Sequence, residues 1–419
     1  MSLDLVVRDA VLAGGERADI GIAGGRVAAV AAHIESQAPA VDAGGRLVVP
    51  GFVETHLHLD KACILDRCRP ERGTLDEAIA HVARAKRGFT HDDVTARASR
   101  ALDKAIVQGT TRVRTHVEVD PVIGLTGFNA LRALADDYRW AVDLEICVFP
   151  QEGLTNNPGT EELMRAALAD GARVVGAAPY TDSDPRAQID RVFRMAADFD
   201  ADIDMHLDLG DSAEYLDADY VCEMTERHGW GGRVAIGHVT KMSLLSSEKF
   251  DALARRLADA GVAVTVLPST DLFLMGRHQG HAAVRGVLAA HKLLAHGVNC
   301  SLATNNVLNP FTPYGDCSLV RMANLYANVC HVAAERDLRE CMEMVTQRAA
   351  RLLRAPGYGI AVGSDADLVV LDCRTPEEAI TELAQPLFGM KRGRRTFTRE
   401  RPRIHRPELD SRDGTTRPF

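Results

Sequence analysis

The chain has 419 residues, 46% hydrophobic and 26% charged, a balance that supports a sizeable buried core. Its 49 basic and 58 acidic side chains leave a net charge of −9, which argues against a dedicated nucleic-acid binder or a polybasic membrane-surface protein. No apolar run approaches the roughly 18–20 residues that cross a bilayer. The opening Met1-Ser2-Leu3-Asp4-Leu5 lacks a signal-peptide pattern, and nine scattered cysteines without a CxxC read as reduced thiols of a cytoplasmic protein.

In chain order, residues 3–50 read as short strands around 5–7, 20–22, 27–30 and 46–49, separated by the pairs Gly14-Gly15, Gly24-Gly25 and Gly44-Gly45. These glycines read as turns; no Lys-Ser/Thr or strand-to-helix context makes any of them a nucleotide loop. A similar strand, 366–372, lies near the far end. Neither end carries enough apolar residues for its own core. The two are therefore expected to combine into one small β-domain, residues 1–50 plus 355–419, since domain termini commonly lie close together.

Between them the period changes. Helical patterns over 76–86, 92–108, 160–170, 187–201, 218–228, 247–260 and 282–296 alternate with strands over 111–119, 173–178, 203–209, 234–238, 263–267 and 300–303. Such alternation implies βαβ units and a parallel sheet, and residues 51–354 suit a (β/α)8 TIM barrel, whose catalytic groups sit at strand C-termini. The fold class expected is therefore α/β, a barrel with a small β-sandwich built from both chain ends. Residues 400–419 show no periodicity and read as a surface tail. The basic run Lys391-Arg392-Gly393-Arg394-Arg395 reads as a solvated turn or an ion-pair site between subunits.

The sharpest local signal is Glu54-Thr55-His56-Leu57-His58-Leu59-Asp60-Lys61. A strand alternates faces, so His56 and His58 project to one side, where two imidazoles are placed to share a metal ion. His206 and His238 each end a further apolar strand. Together the four form a candidate metal set at the C-terminal ends of barrel strands.

On these residues, the chain resembles the amidohydrolase superfamily, in the branch of bacterial cytosine deaminase and N-isopropylammelide isopropylaminohydrolase. Val148-Phe149-Pro150-Gln151-Glu152-Gly153, Asn309-Pro310-Phe311-x-Pro313-x-Gly315 and the closing Gly363-x-x-Ala366-Asp367-Leu368-Val369-Val370-Leu371 carry the same resemblance. It implies one divalent ion, Zn²⁺ or Fe²⁺, on His56, His58, His206 and His238, activating water for hydrolysis of a C–N bond in a small nitrogen heterocycle. It further implies that Gln151 binds a ring carbonyl or ring nitrogen, that Lys61 stabilises negative charge on a ring oxygen, and that Phe311 packs on the substrate. A small molecule is the expected partner, without nucleic acid or membrane, and a homo-oligomer is compatible with the resemblance.

Two proton-handling positions break the pattern. Asn305 stands where the family ends its eighth strand with aspartate, with Asn306 in place of a second acid, and Leu209 stands where the family has a glutamate. An amide binds water or metal through its carbonyl oxygen but accepts no proton near neutral pH, and leucine does neither. Substitutes on offer are Asp208, two residues beyond His206 and so on its face of the strand, and Glu118, Asp60, Glu152 and Asp271. Asp208 is the first choice as displaced base, with Asn305 and Lys61 completing the catalytic set and Asn306 binding substrate. The alternatives are a hydrolase or lyase with little or no metal, acting through Lys61 or a carboxylate, and a catalytically silent barrel that binds a small molecule.

Overall fold

A computed structural model describes residues 2–405. Eight consecutive parallel strands form one sheet: β5 (Phe52–Leu57), β6 (Thr110–Glu118), β7 (Asp143–Phe149), β8 (Val174–Val175), β9 (Asp202–Leu207), β10 (Val234–His238), β11 (Val262–Val266) and β12 (Cys300–Leu302). The four strands before them are β1 (Leu5–Val11), β2 (Arg17–Ala23), β3 (Arg26–Ala31) and β4 (Ala40–Pro50). Three follow: β13 (Leu368–Leu371), β14 (Pro386–Lys391) and β15 (Arg394–Thr398). The sheet closes where Asn305, just past β12, bridges Leu57. Its N–H donates to His56 O at 2.8 Å, and its carbonyl accepts from His58 N at 2.8 Å. Closure thus sets the first histidine strand beside the last strand of the barrel.

All residues of β5, β6, β9 and β10 are buried, as a parallel sheet covered by helices requires. Strand β8 is shorter than the apolar run 173–178 suggests. Beyond it, Gly176 lies where a Cβ would come within 2.7 Å of Asp204 O and 2.8 Å of Phe149 Cβ, so only glycine lets three strands pack this closely. Strand β7 is one the apolar pattern did not single out, because its first three residues are half-exposed.

The other seven strands form a mixed sheet in the order β15-β14-β13-β4-β1-β2-β3. Strand β4 joins its halves: Ala40–Leu47 pairs with β1, with Gly44 and Gly45 at positive φ where the register shifts, and Val48–Pro50 pairs with β13. Side chains of both halves share one core, including Val7, Ile20, Val48, Leu368 and Phe388, which makes the unit a β-sandwich drawn from both ends of the chain.

Two expectations change. The helix expected over 282–296 is confined to Ala290–Leu294, because Ala282 and Gly286 adopt left-handed φ of 53° and 66° that interrupt it. The basic run turns at Arg392-Gly393 with Arg392, Arg394 and Arg395 exposed, as expected of a solvated turn, but its first residue is neither solvated nor free for a second subunit. Lys391 is 1% exposed, and its Nζ donates to Asp143 Oδ2 and Asp367 Oδ2, both at 2.7 Å, and to Thr111 O at 3.0 Å. The run therefore pins the sandwich to the barrel. The part of the expected tail beyond residue 405 lies outside the described residues. All nine cysteines are unpaired, and no described helix is long and apolar enough to cross a membrane.

Candidate active site

Strand alternation delivers His56 and His58 to the barrel interior, and the end of β9 delivers His206 to meet them. The Nε2 atoms of His56 and His58 lie 3.1 and 3.0 Å from Nε2 of His206. That spacing admits an N–H···N hydrogen bond, with the donor set by the tautomers. It is also close to the edge of a tetrahedron with metal–nitrogen bonds of 2.0–2.1 Å, about 3.3 Å. Burial, followed by the neighbouring cationic groups, keeps all three rings well below the usual histidine pKa, so they are neutral with lone pairs available. Asn305 stands beside them with its Oδ1 buried and unpartnered. The donor set therefore fits a divalent cation of borderline softness.

His238 does not join this cluster. Its ring centroid is 6.1 Å from that of His56 and 5.5 Å from that of His206, and its Nδ1 is 2.6 Å from Asp271 Oδ1. The other Asp271 oxygen accepts from Leu267 N. Asp271 sits in the helix Pro268–Leu274 after β11, and burial pushes its carboxyl above the ordinary value. His238 lines the same pocket as His58 and His206, so the structure presents it as a carboxylate-oriented imidazole next to three clustered ones.

Asp208 does not reach the pocket. Strand β9 ends at Leu207, and Asp208 turns into the left-handed region at φ 48°, which cancels the alternation that would have aimed it beside His206. Both its oxygens accept backbone N–H groups at the start of the next helix, from Asp217 at 2.8 Å and Ala218 at 3.1 Å. Leu209 takes the pocket-lining place instead, packed with Ile64, Leu274 and Phe311.

Lys61 is 1% exposed and lines the pocket between Phe149 and Phe311, its Nζ 5.2 and 4.9 Å from their ring centroids. It donates to Glu118 Oε1 at 2.5 Å and to Gln151 Oε1 at 3.1 Å, which leaves Gln151 Nε2 buried without a partner. Burial pushes Glu118 up, but Lys61 and Lys86 overrule it and hold the carboxyl below its usual value. Lys86 also binds Asp120 and Glu152. Asp60 accepts the backbone N–H of Lys61 and of Glu118, and burial lifts its pKa to about 6. Of the substitute carboxylates, only Asp271 holds a histidine of the pocket; Glu118 and Glu152 bind lysine ammonium groups, and Asp60 binds backbone N–H groups. Asn306 lines the pocket while its Oδ1 accepts from Asn309 Nδ2 at 2.7 Å, and Asn309 Oδ1 in turn receives the N–H of Phe311.

Sequence reasoning missed three contributors. Tyr180 and Thr270 line the pocket from the short helical segments Pro179–Thr181 and Pro268–Leu274 that follow β8 and β11, where no periodicity points. Asp204 lies behind the cluster, with Oδ2 on Arg114 Nη1 at 3.0 Å and Oδ1 3.9 Å from His56 Nδ1 and 3.5 Å from His116 Nε2. Its position two residues before His206, on the same strand face, was a usable signal.

Comparison with known proteins agrees with this architecture. The profile Amidohydro_3, of the amidohydrolase family, matches residues 40–141 and 90–397. N-isopropylammelide isopropyl amidohydrolase of Pseudomonas sp. (strain ADP) is 30% identical over 403 residues, 93% of this chain and 96% of that protein. Pterin deaminase of Rhizobium rhizogenes is 27% identical, over 90% of this chain and 87% of that protein. The crystal structure of 5-methylcytosine deaminase from Klebsiella pneumoniae liganded with 5-fluorocytosine superposes with a TM-score of 0.91 at 28% identity, covering 96% of this chain and 99% of that one. The match to 93% of the chain at 30% identity, with the barrel and sandwich in common, is decisive: this chain belongs to the amidohydrolase family and is a hydrolase of the class that acts on C–N bonds.

Proposed function

We propose that the chain hydrolyses the C–N bond of an amino or alkylamino substituent on a small nitrogen heterocycle, using a single divalent metal ion. The convergence of the Nε2 atoms of His56, His58 and His206 within 3.0–3.1 Å contacts carries this reading. Those three residues would hold the ion, with Asn305 Oδ1 as a neutral fourth donor; His238 is reassigned from ligand to proton carrier. A bound zinc or iron ion supplies a Lewis acid that brings the pKa of water towards neutrality.

The chain's own groups then divide the remaining work. Asn305 orients water through its carbonyl oxygen and takes no proton. His238, its Nδ1 fixed by Asp271, turns Nε2 to the pocket, accepts the proton of the attacking water and returns it to the departing nitrogen. Lys61 and the free Nε2 of Gln151 donate to ring oxygen or nitrogen, while Phe311 and Leu75 pack against the ring. Relatives named as a pterin deaminase, a 5-methylcytosine deaminase and an isopropylammelide hydrolase support a planar nitrogen ring as substrate. The second reading, binding without turnover, is favoured by Leu209 and Asn305, which leave two positions without acid–base capacity. The division at residues 51–354, cytoplasmic residence and a homo-oligomeric state belong to the same proposal.

The test is release of ammonia or alkylamine from aminated and N-alkylated pyrimidines, triazines and pterins by the metal-loaded protein. Turnover that is abolished by chelation and restored by zinc or iron supports the reading. No release from any member, or release indifferent to chelation, overturns it.

A further inference from the structure

Among the described residues, the pocket that Lys61 enters has no carboxylate in its wall: its polar lining is imidazole, amide, hydroxyl and ammonium. The nearest acids, Glu118 and Asp271, are engaged by Lys61 and His238 and do not line it. Three segments line it with one residue each and place a near neighbour in the chain at a second cavity, which we take as its vestibule. Leu75, Leu274 and Phe311 face inward, whereas Gly73, Phe273 and Tyr314 line an outer cavity of about 360 Å³. Arg69, Arg72 and Arg277 line that vestibule too, against the single carboxylate of Glu71.

These arginines are presented, not consumed. Arg277 stacks on Phe273 with 4.2 Å from Cζ to the ring centroid and donates through Nε to Phe273 O, leaving its terminal nitrogens to the cavity. Arg72 has only a distant carboxylate, Glu77 at 3.9 Å. The Glu77 carboxylate accepts the backbone N–H groups of Glu71, Arg72 and Gly73 and so fixes the turn that carries Arg72. Phe273 and Tyr314 meet edge to face at 5.9 Å and give a planar ring an aromatic surface on its way in. On a chain of net charge −9, an arginine-lined mouth over an acid-free pocket is a local reversal of sign, and within a Debye length of about 8–10 Å the local charges dominate.

We infer that the substrate is a nitrogen heterocycle that is anionic at neutral pH, drawn in by Arg69, Arg72 and Arg277 and received at Lys61. This inference rests on the hydrolase reading for what the pocket does with the ring, but not for the sign of the charge it selects. The charge resides on an ionised ring oxygen or on an appended carboxylate, and the test separates the two.

Binding is measured without turnover, by calorimetry on the metal-loaded protein, with uracil as the neutral ring, barbiturate as the ring anion and orotate as the ring with a carboxylate. At least one anion is expected to bind about tenfold or more tightly than uracil. Barbiturate ahead of orotate places the charge on the ring; the reverse places it on a substituent. The advantage is expected to shrink at least about threefold in the surface variant Arg69→Gln/Arg72→Gln/Arg277→Gln, and in the parent at about 0.5 M salt. Lys61→Gln is expected to reduce it further. Uracil binding as tightly as both anions, or an anion preference untouched by the triple substitution, overturns the inference. Failure of the hydrolase reading shows separately, in the amine-release assay, and leaves these affinities as they are.

Discussion

His238 Nδ1 and Asp271 Oδ1 lie 2.6 Å apart, both buried, with the histidine lining a pocket that His58 and His206 share. The carboxylate sets the tautomer that leaves Nε2 as proton acceptor and stabilises the ring once it is charged. Asp271→Asn keeps the shape but reverses that bias. It is expected to lower kcat by about 10²–10⁴-fold while the melting temperature stays within a few degrees. Steady-state kinetics beside a thermal melt check this, and kcat retained within about threefold removes the pair from the mechanism.

Asp208 has the opposite signature. Its oxygens bind the N–H groups of Asp217 and Ala218, and no atom of it faces the pocket. Asp208→Ala is expected to cost about 1–2 kcal/mol, as loss of a helix N-terminal acceptor does, with kcat unchanged within about twofold. Denaturant unfolding and turnover on one preparation read both numbers. A large kcat loss at unchanged stability would restore Asp208 as a base.

Lys391 binds Asp143 of the barrel and Asp367 of the sandwich at 2.7 Å each, from a site 1% exposed. Lys391→Met leaves those carboxylates without their buried cation, and such losses cost about 3–5 kcal/mol. Chemical denaturation is expected to show this drop. Stability within about 1 kcal/mol of the parent contradicts the pinning role.

Asp93, in the first turn of the helix His91–Val107, accepts from Arg67 and Arg97, and their hold brings its pKa down to about 2. Its folded value lies below its unfolded one, so its contribution is complete above pH about 4 and fades as pH falls towards 2. Asp93→Asn is expected to lower stability by about 2 kcal/mol at pH 7, with the gap closing as pH approaches 2. Thermal melts from pH 7 to 2.5 follow it; a gap independent of pH contradicts the assignment.

The barrel and its histidine strand were legible because they depend on periods. Buried parallel strands read as apolar runs, and His56-x-His58 reads as one face whatever surrounds it. The errors lie where a period stops. Asp208 leaves its strand at φ 48°, and Gly286 at φ 66° keeps a helix from starting where its composition would, so that it begins only at Ala290. Pairings across strands carry no local trace. Nothing near His238 in the chain announces Asp271, and nothing in a run of basic residues announces that Lys391 is buried against Asp143 and Asp367. The loss of two acids was visible in Asn305 and Leu209, but strand alternation still aimed Asp208 at the pocket. The arginines of the mouth were not visible, because they come from two loops about 200 residues apart that only the closed barrel brings together.

The central claim is a metal centre on His56, His58 and His206, with His238 serving the proton instead of the ion. Metal content by mass spectrometry of the purified parent, His206→Ala and His238→Ala tests it directly. About one equivalent of zinc or iron in the parent and in His238→Ala, with loss to below about 0.1 equivalent in His206→Ala, is the predicted result. Less than about 0.1 equivalent in the parent, or equal loss in both variants, would contradict it.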